Sequence, residues 1–213
     1  MAEVVFTDRA DGDFGVDRAA GTLDGLRRGV FDEEWTWLRQ VHGAEVVVVD
    51  RPGHRAGATA DAAVTGATGA VLCVQTADCV PVVLVGDGVV GVAHAGWRGL
   101  VAGVIGSTVD AMVSLGGGVP VAVIGPCIRP RSYAFGADML GSVELAVGGP
   151  ATATTADGAI ALDMGLATSH ALRRAGVTSI TDQGADTAEA GWFSHRVRGD
   201  QGRQVTAVQL VAA

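Results

Sequence analysis

The chain contains no lysine and no asparagine, so all fifteen basic residues are arginines. That absence excludes Schiff-base chemistry and a lysine general base. Aromatic residues are scarce, at 5%, and charged residues make up only 18% against 48% apolar. A substantial core is therefore available and disorder is not expected. Long apolar runs are missing as well. Gly, Asp, Arg or His interrupts each one before the roughly eighteen residues of a membrane span. The opening MAEVVFTDRADGD lacks the basic-then-apolar order of a signal peptide, so a cytoplasmic protein is expected, with no membrane partner. Positive charge is in short supply: the net charge is −8, and the dense basic patches are Arg27-Arg28, Arg173-Arg174 and 196–203. Extended nucleic-acid binding is not expected from such a balance. A small anion held by one or two arginines fits it. Three cysteines, Cys73, Cys79 and Cys127, have no CxxC spacing and read as thiols rather than a disulfide framework.

What is present is patterned. No solenoid repeat and no Pro/Ser-rich linker divides the chain, which predicts one domain over 1–213, expected as a monomer. Strands are predicted at Val4–Thr7, Trp35–Val41, Glu45–Asp50, Ala70–Gln75, Val80–Val85, Val89–His94, Val119–Ile124 and Ser179–Asp182. Residues 51–61 have the composition of a loop. Helices are predicted at Gly21–Arg28, Ala137–Val147 and Leu162–Arg174. Another is predicted over Trp97–Leu115, ended by Gly116–Gly118. Alternation on either side of Gly199–Gly202 predicts a C-terminal hairpin. Strands and helices interspersed in this way imply an α/β fold of mixed α+β type, a layered sandwich rather than a simple parallel sheet.

His42, Cys79 and His94 each fall where a β-like run breaks or ends beside small or turn-forming residues. Two imidazoles and a thiolate suit zinc, and three protein ligands with an open fourth position form the catalytic arrangement. The gaps of 37 and 15 residues match no compact zinc motif, however. Spacing alone therefore leaves open the blander reading of a buried thiol and two hydrogen-bonded histidines. Arg98 falls in the first turn of the helix predicted from Trp97, where an anion would be favoured. Asp78, next to Cys79, reads as a cap, a positioning partner or a proton acceptor.

QVHGAEV (40–46), ADAAVT (60–65), TADCVPVVL (76–84), GVAHAGWRGL (91–100) and IGPCIRPRSY (124–133) occur in this order, followed by WFSHRVRGDQGRQVTAVQL (192–210). Together they resemble the multicopper-polyphenol-oxidase-like "laccase domain" family, also called the YfiH or peptidoglycan editing factor family. The resemblance covers nearly the whole chain. It implies a layered α/β fold like the catalytic domain of cytotoxic necrotizing factor, with zinc held by His42, Cys79 and His94. It also implies phosphorolysis of adenosine, inosine and methylthioadenosine to free base and the sugar 1-phosphate, with deamination of adenosine as a further activity. Cys79, His94, Asp78 and Arg98 are then the catalytic candidates, and Gln40, Arg98 and Arg196 the substrate-binding ones. Purine nucleoside and phosphate are the expected partners. Zinc is the expected cofactor, and copper is compatible with a His₂Cys set. The family's YEVG reads YAFG here, with Ala134 in the acid's place, and its late Cys-Thr pair reads Asp186-Thr187.

Three other readings stand beside this one. A true multicopper oxidase needs paired histidines for its copper centres, and five histidines with no HxH pair do not supply them. A cysteine hydrolase editing peptidoglycan precursors would use Cys79 as nucleophile and His94 as base. A metal-binding partner without turnover would use the same three ligands.

Overall fold

Two apolar runs, VLCVQT at 71–76 and VPVVLV at 80–85, form inner strands of two different sheets. The computed structural model describes residues 1–212. In chain order the elements are β1 (Ala2–Phe6), α1 (Ala20–Val30), β2 (Trp35–Thr36), β3 (Leu38–Arg39), β4 (Val46–Val49), β5 (Ala58–Thr59), β6 (Ala62–Thr65), β7 (Val71–Thr76), β8 (Val80–Val85) and β9 (Val90–Ala95). There follow α2 (Trp97–Ala102), α3 (Val104–Ser114), β10 (Val121–Ile124), a 3-10 turn (Pro130–Ser132), α4 (Ala137–Val147), β11 (Thr152–Thr154) and β12 (Ile160–Leu162). The last elements are α5 (Met164–Arg174), β13 (Ile180–Asp182), α6 (His195–Arg198) and β14 (Gln204–Leu210). The fold is mixed α+β.

The two larger sheets have the orders β1-β14-β7-β2 and β13-β10-β8-β9-β6-β4, and β11-β12 and β3-β5 form two-stranded pairs beside them. The period of two along each strand sorts side chains into layers. Leu72 and Val74 of β7 meet Val83 of β8 and Val90 and Val92 of β9 between the sheets. The opposite face of β7, with Val71 and Cys73, packs under Phe14 and Trp35. The far face of the larger sheet, with Val82, Leu84 and Ala93, is covered by Ile105, Val109 and Met112 of α3 and by Leu140 and Leu172 of α4 and α5.

Several sequence expectations need correction. The helix expected over 97–115 is two helices, because Gly103 takes φ 92° and closes α2 with its amide on the Gly99 and Leu100 carbonyls. Glycine reaches this left-handed geometry at little cost. The C-terminal hairpin does not form. Ser194 caps the short helix α6 through the Val197 amide, and Arg198 binds the carbonyls of Thr187, Ala188 and Trp192. These polar bonds curl 195–198, leaving β14 to pair with β1 and β7 instead. Thr59 lies in β5 rather than in a loop, the run at 35–41 splits into β2 and β3, and Leu162 closes β12 ahead of α5.

Candidate metal centre and its cavity

His94 has the same parity in β9 as Val90 and Val92, so it belongs to the face between the two sheets, near the strand's end. Its backbone amide is fixed by the Asp61 carbonyl at 2.7 Å. The Asp61 side chain, closed to solvent, holds the imidazole from the other direction: Oδ1 lies 2.8 Å from His94 Nδ1. The same carboxylate accepts the amides of Val41, His42 and Gly43 at 3.1, 2.9 and 2.8 Å. Those bonds fold the loop after β3 around one acid and hold His42 at φ 59°, a left-handed conformation uncommon outside glycine. Cys79 arrives from a third element, the turn between β7 and β8. Asp78 takes φ 98° there, its oxygens accepting from the Thr187 hydroxyl at 2.8 Å and the Arg196 amide at 2.7 Å.

Among the described residues, His42, Cys79 and His94 form the group of metal-ligating side chains, with ligand atoms all within 4.8 Å of one another. Cys79 Sγ lies 3.7 Å from His42 Nε2. Tetrahedral zinc with its ordinary Zn–N and Zn–S bonds separates such ligands by about 3.5 Å, so the spacing fits. Asp61 occupies His94 Nδ1 and leaves Nε2 as the ligand nitrogen, an orientation by carboxylate familiar at zinc sites. Gly96 closes the fit: a Cβ there would stand 2.6 Å from His42 Cδ2 and 3.2 Å from Cys79 Sγ.

The electrostatics match this donor set. Burial pushes the Cys79 thiol up, but the His94 charge and hydrogen bonds from both histidines outweigh it and bring the pKa down to about 6. Burial pushes His94 down, and the Cys79 thiolate and Asp61 together raise it to about 9. Asp61 is itself raised by burial and lowered more by His94 and its amides, ending below the ordinary carboxylate value. The remaining thiols differ: Cys73 and Cys127 are buried and pushed up to about 12.

The triad opens into a cavity of about 1050 Å³. Every expected site residue, Gln40, His42, Asp78, Cys79, His94, Arg98 and Arg196, lines it. Arg98 lies 4.4 Å over the Trp97 ring and Arg196 4.4 Å over Tyr133, while Phe135 touches both aromatics at 5.6 and 5.7 Å. Trp97 and Tyr133, bridged from behind by Phe135, form a shelf that carries one guanidinium on each ring. Ala134 contributes its carbonyl, which accepts from Arg196 Nη1 at 2.9 Å. The Gln40 amide is tied to the Gln75 main chain, donating to its carbonyl and accepting its amide, both at 2.8 Å. His195 also lines the cavity, whereas His54 and His170 do not. Sequence reasoning assigned no role to Asp61 or to Thr187, named there only as part of the late pair, and missed the aromatic shelf. An acid inside the apolar run ADAAVT was the available signal for Asp61.

The pattern of the multi-copper polyphenol oxidoreductase laccase family matches residues 22–211. The chain belongs to that family. A purine nucleoside phosphorylase of Streptomyces coelicolor is 42% identical over 174 residues, covering 79% of this chain and 72% of the relative. One from Xylella fastidiosa is 38% identical over 182 residues, covering 80% and 70%. YfiH of Bacillus licheniformis, a solved structure, aligns with a TM-score of 0.86 across 98% of this chain and 92% of its own, at 24% identity. YlmD of Geobacillus stearothermophilus gives 0.83 across 100% and 92%, at 26% identity. The fold of this laccase-family chain is therefore that of the YfiH proteins. No helix among its described residues is long and apolar enough to cross a membrane.

Proposed function

We propose that the protein is a zinc-dependent purine nucleoside phosphorylase that converts adenosine, inosine or methylthioadenosine and phosphate to free base and sugar 1-phosphate. The observation that carries the reading is the His42–Cys79–His94 group opening onto a cavity with Arg98 and Arg196 on one aromatic shelf. Relatives with the name purine nucleoside phosphorylase support it. His42, Cys79 and His94 would hold the metal, which when bound supplies the Lewis acidity that deamination of adenosine would also draw on. Arg98 and Arg196 hold phosphate by charge-assisted hydrogen bonds and orient one oxygen toward C1′ of the ribose. As the C1′–N bond breaks, the sugar gains positive charge that the held hydrogen phosphate offsets; its oxygen bonds to C1′ and its proton passes to the leaving base nitrogen. Asp78 has both oxygens engaged, so its assigned part is to position Arg196 and the Cys79 turn together. Gln40, held by Gln75, keeps the cavity wall beside His42 fixed.

A specific observation favours one second reading. Cys79 Sγ lies 3.7 Å from His42 Nε2 with His94 beside it, and these histidines lower the thiol's pKa, which suits Cys79 as the nucleophile of a cysteine hydrolase. Metal content separates the two. The protein, purified without chelators, is analysed by metal mass spectrometry and incubated with each nucleoside, with and without phosphate. Stoichiometric zinc with phosphate-dependent release of base is the expected result, and inosine formed from adenosine would establish the deaminase arm. Turnover persisting in metal-free protein or in Cys79→Ala would overturn the zinc reading.

A further inference from the structure

The cavity has more cationic groups than one phosphate requires. Arg18, Arg39, Arg98, Arg196 and Arg203 line it, with Asp13, Asp17 and Asp78 as the lining acids. Asp13 is consumed by Arg18 and by the amides of Gly15 and Arg203. Asp78 is consumed by Thr187 and the Arg196 amide. Among the described residues Asp17 makes no ion pair, and Arg39, Arg98, Arg196 and Arg203 have no carboxylate partner, in a chain whose net charge is −8. Unpaired guanidinium groups concentrated in one concave site focus a positive potential there.

They also fall into two sets. Arg98 and Arg196 stand on the shelf of Trp97 and Tyr133. Arg39 and Arg203 flank the end of β7 from opposite sides. Arg203 immediately precedes β14, where Gln204 is registered with Thr76, and Arg39 precedes Gln40, whose side chain clasps Gln75. Arg203 has Nη1 on the carbonyls of its own turn, Gln201 and Gly202, which fixes the guanidinium in place. The cavity, at about 1050 Å³, lies at the upper end of the roughly 300–1,000 Å³ usual for small-molecule sites.

We propose that Arg39 and Arg203 form a second anion subsite, and that the cavity binds purine nucleosides bearing a 5′-phosphate. This rests on the nucleoside reading above and extends its substrate class. With the glycosidic carbon facing the phosphate held by Arg98 and Arg196, the 5′ position is the end of the sugar that carries an anion in ordinary nucleotides. Two guanidinium groups there match a phosphate monoester in charge and donor count.

The test is calorimetric titration of AMP and of adenosine into the full chain with its co-purified metal, in phosphate-free buffer at low and high salt. Two charge-assisted contacts imply AMP binding at least about tenfold tighter than adenosine at low salt, with the advantage shrinking at high salt. Arg39→Gln, which removes a side chain with no hydrogen bond or ion pair among the described residues, should erase most of that advantage, and Arg203→Gln should do the same if it folds. AMP binding no tighter than adenosine overturns the proposal. So does an advantage that survives Arg39→Gln but is lost in Arg98→Gln, since AMP would then occupy the inorganic phosphate subsite. Preferential AMP binding without any nucleoside phosphorolysis would support the subsite and refute the enzyme reading. Phosphorolysis without AMP preference would do the reverse.

Discussion

The carboxylate of Asp61 holds His94 Nδ1 at 2.8 Å while its amide contacts shape the loop that carries His42. One buried acid thus orients the His94 imidazole and anchors the backbone that carries His42. Asp61→Asn replaces one acceptor oxygen by a donor and removes the charge that favours this histidine orientation. Zinc affinity should fall about 10–100-fold, the usual consequence of losing such a partner. Competition against a chromophoric chelator measures it, and an unchanged affinity would show that Asp61 does not govern the site.

Gly96 has φ −74°, so alanine there meets no backbone penalty. Its Cβ would nonetheless press on His42 Cδ2 and Cys79 Sγ. Gly96→Ala should leave far-ultraviolet circular dichroism unchanged and cut metal stoichiometry well below one. Full zinc occupancy in this variant would place the metal elsewhere.

Arg98 stacks on Trp97 and carries no ion pair among the described residues, so its removal strands no acid. Arg98→Ala should raise the KM for phosphate about tenfold, the worth of one charge-assisted contact. The KM for nucleoside should change far less. Steady-state kinetics with phosphate varied decide it, and an unchanged phosphate KM removes Arg98 from the anion site.

Outside the cavity lining, Arg129 binds Asp182 through two prongs at 2.8 and 2.6 Å. Burial raises the Asp182 pKa, but Arg129 and the Gly184 amide lower it further, so the net shift is downward. A carboxylate depressed in the fold stabilises above its unfolded pKa of about 3.9, and that contribution disappears as pH falls through the folded value. Asp182→Asn should cost about 1 kcal/mol near neutral pH, allowing for solvent screening of this exposed acid. The cost should vanish near pH 2 or below. Urea unfolding at both extremes checks the sign, and an equal cost at both would assign the effect to packing.

Much of the fold was legible because burial leaves a period. The runs at 71–76, 80–85 and 90–95 and the helix at 137–147 appear close to their expected bounds. The break at Gly103 was hidden, since glycine within an apolar helical pattern is compatible with continuation as well as with a left-handed stop. The C-terminal hairpin was misread for a different reason. Alternation identifies a strand but not its neighbour, and β14 found partners about 200 and 130 residues away in sequence. The site was legible as ligand types and motif blocks, and its gaps of 37 and 15 residues concealed the rest. Asp61 binds across about twenty residues to His42 and thirty-three to His94, distances at which no local rule operates.

The position of β14 has a consequence for biosynthesis. It lies between β1 and β7, with Ala2 registered to Leu210 and Gln204 to Thr76. During translation β1 therefore emerges without a partner and β7 with one open edge, and both wait for residues 204–210 to leave the ribosome. Pairings of such long sequence separation close slowly, and unpaired edges invite association with other chains meanwhile. Nascent chains of this protein should consequently need protection of the β1 and β7 edges throughout synthesis, until β14 enters the sheet with Arg203 at its start.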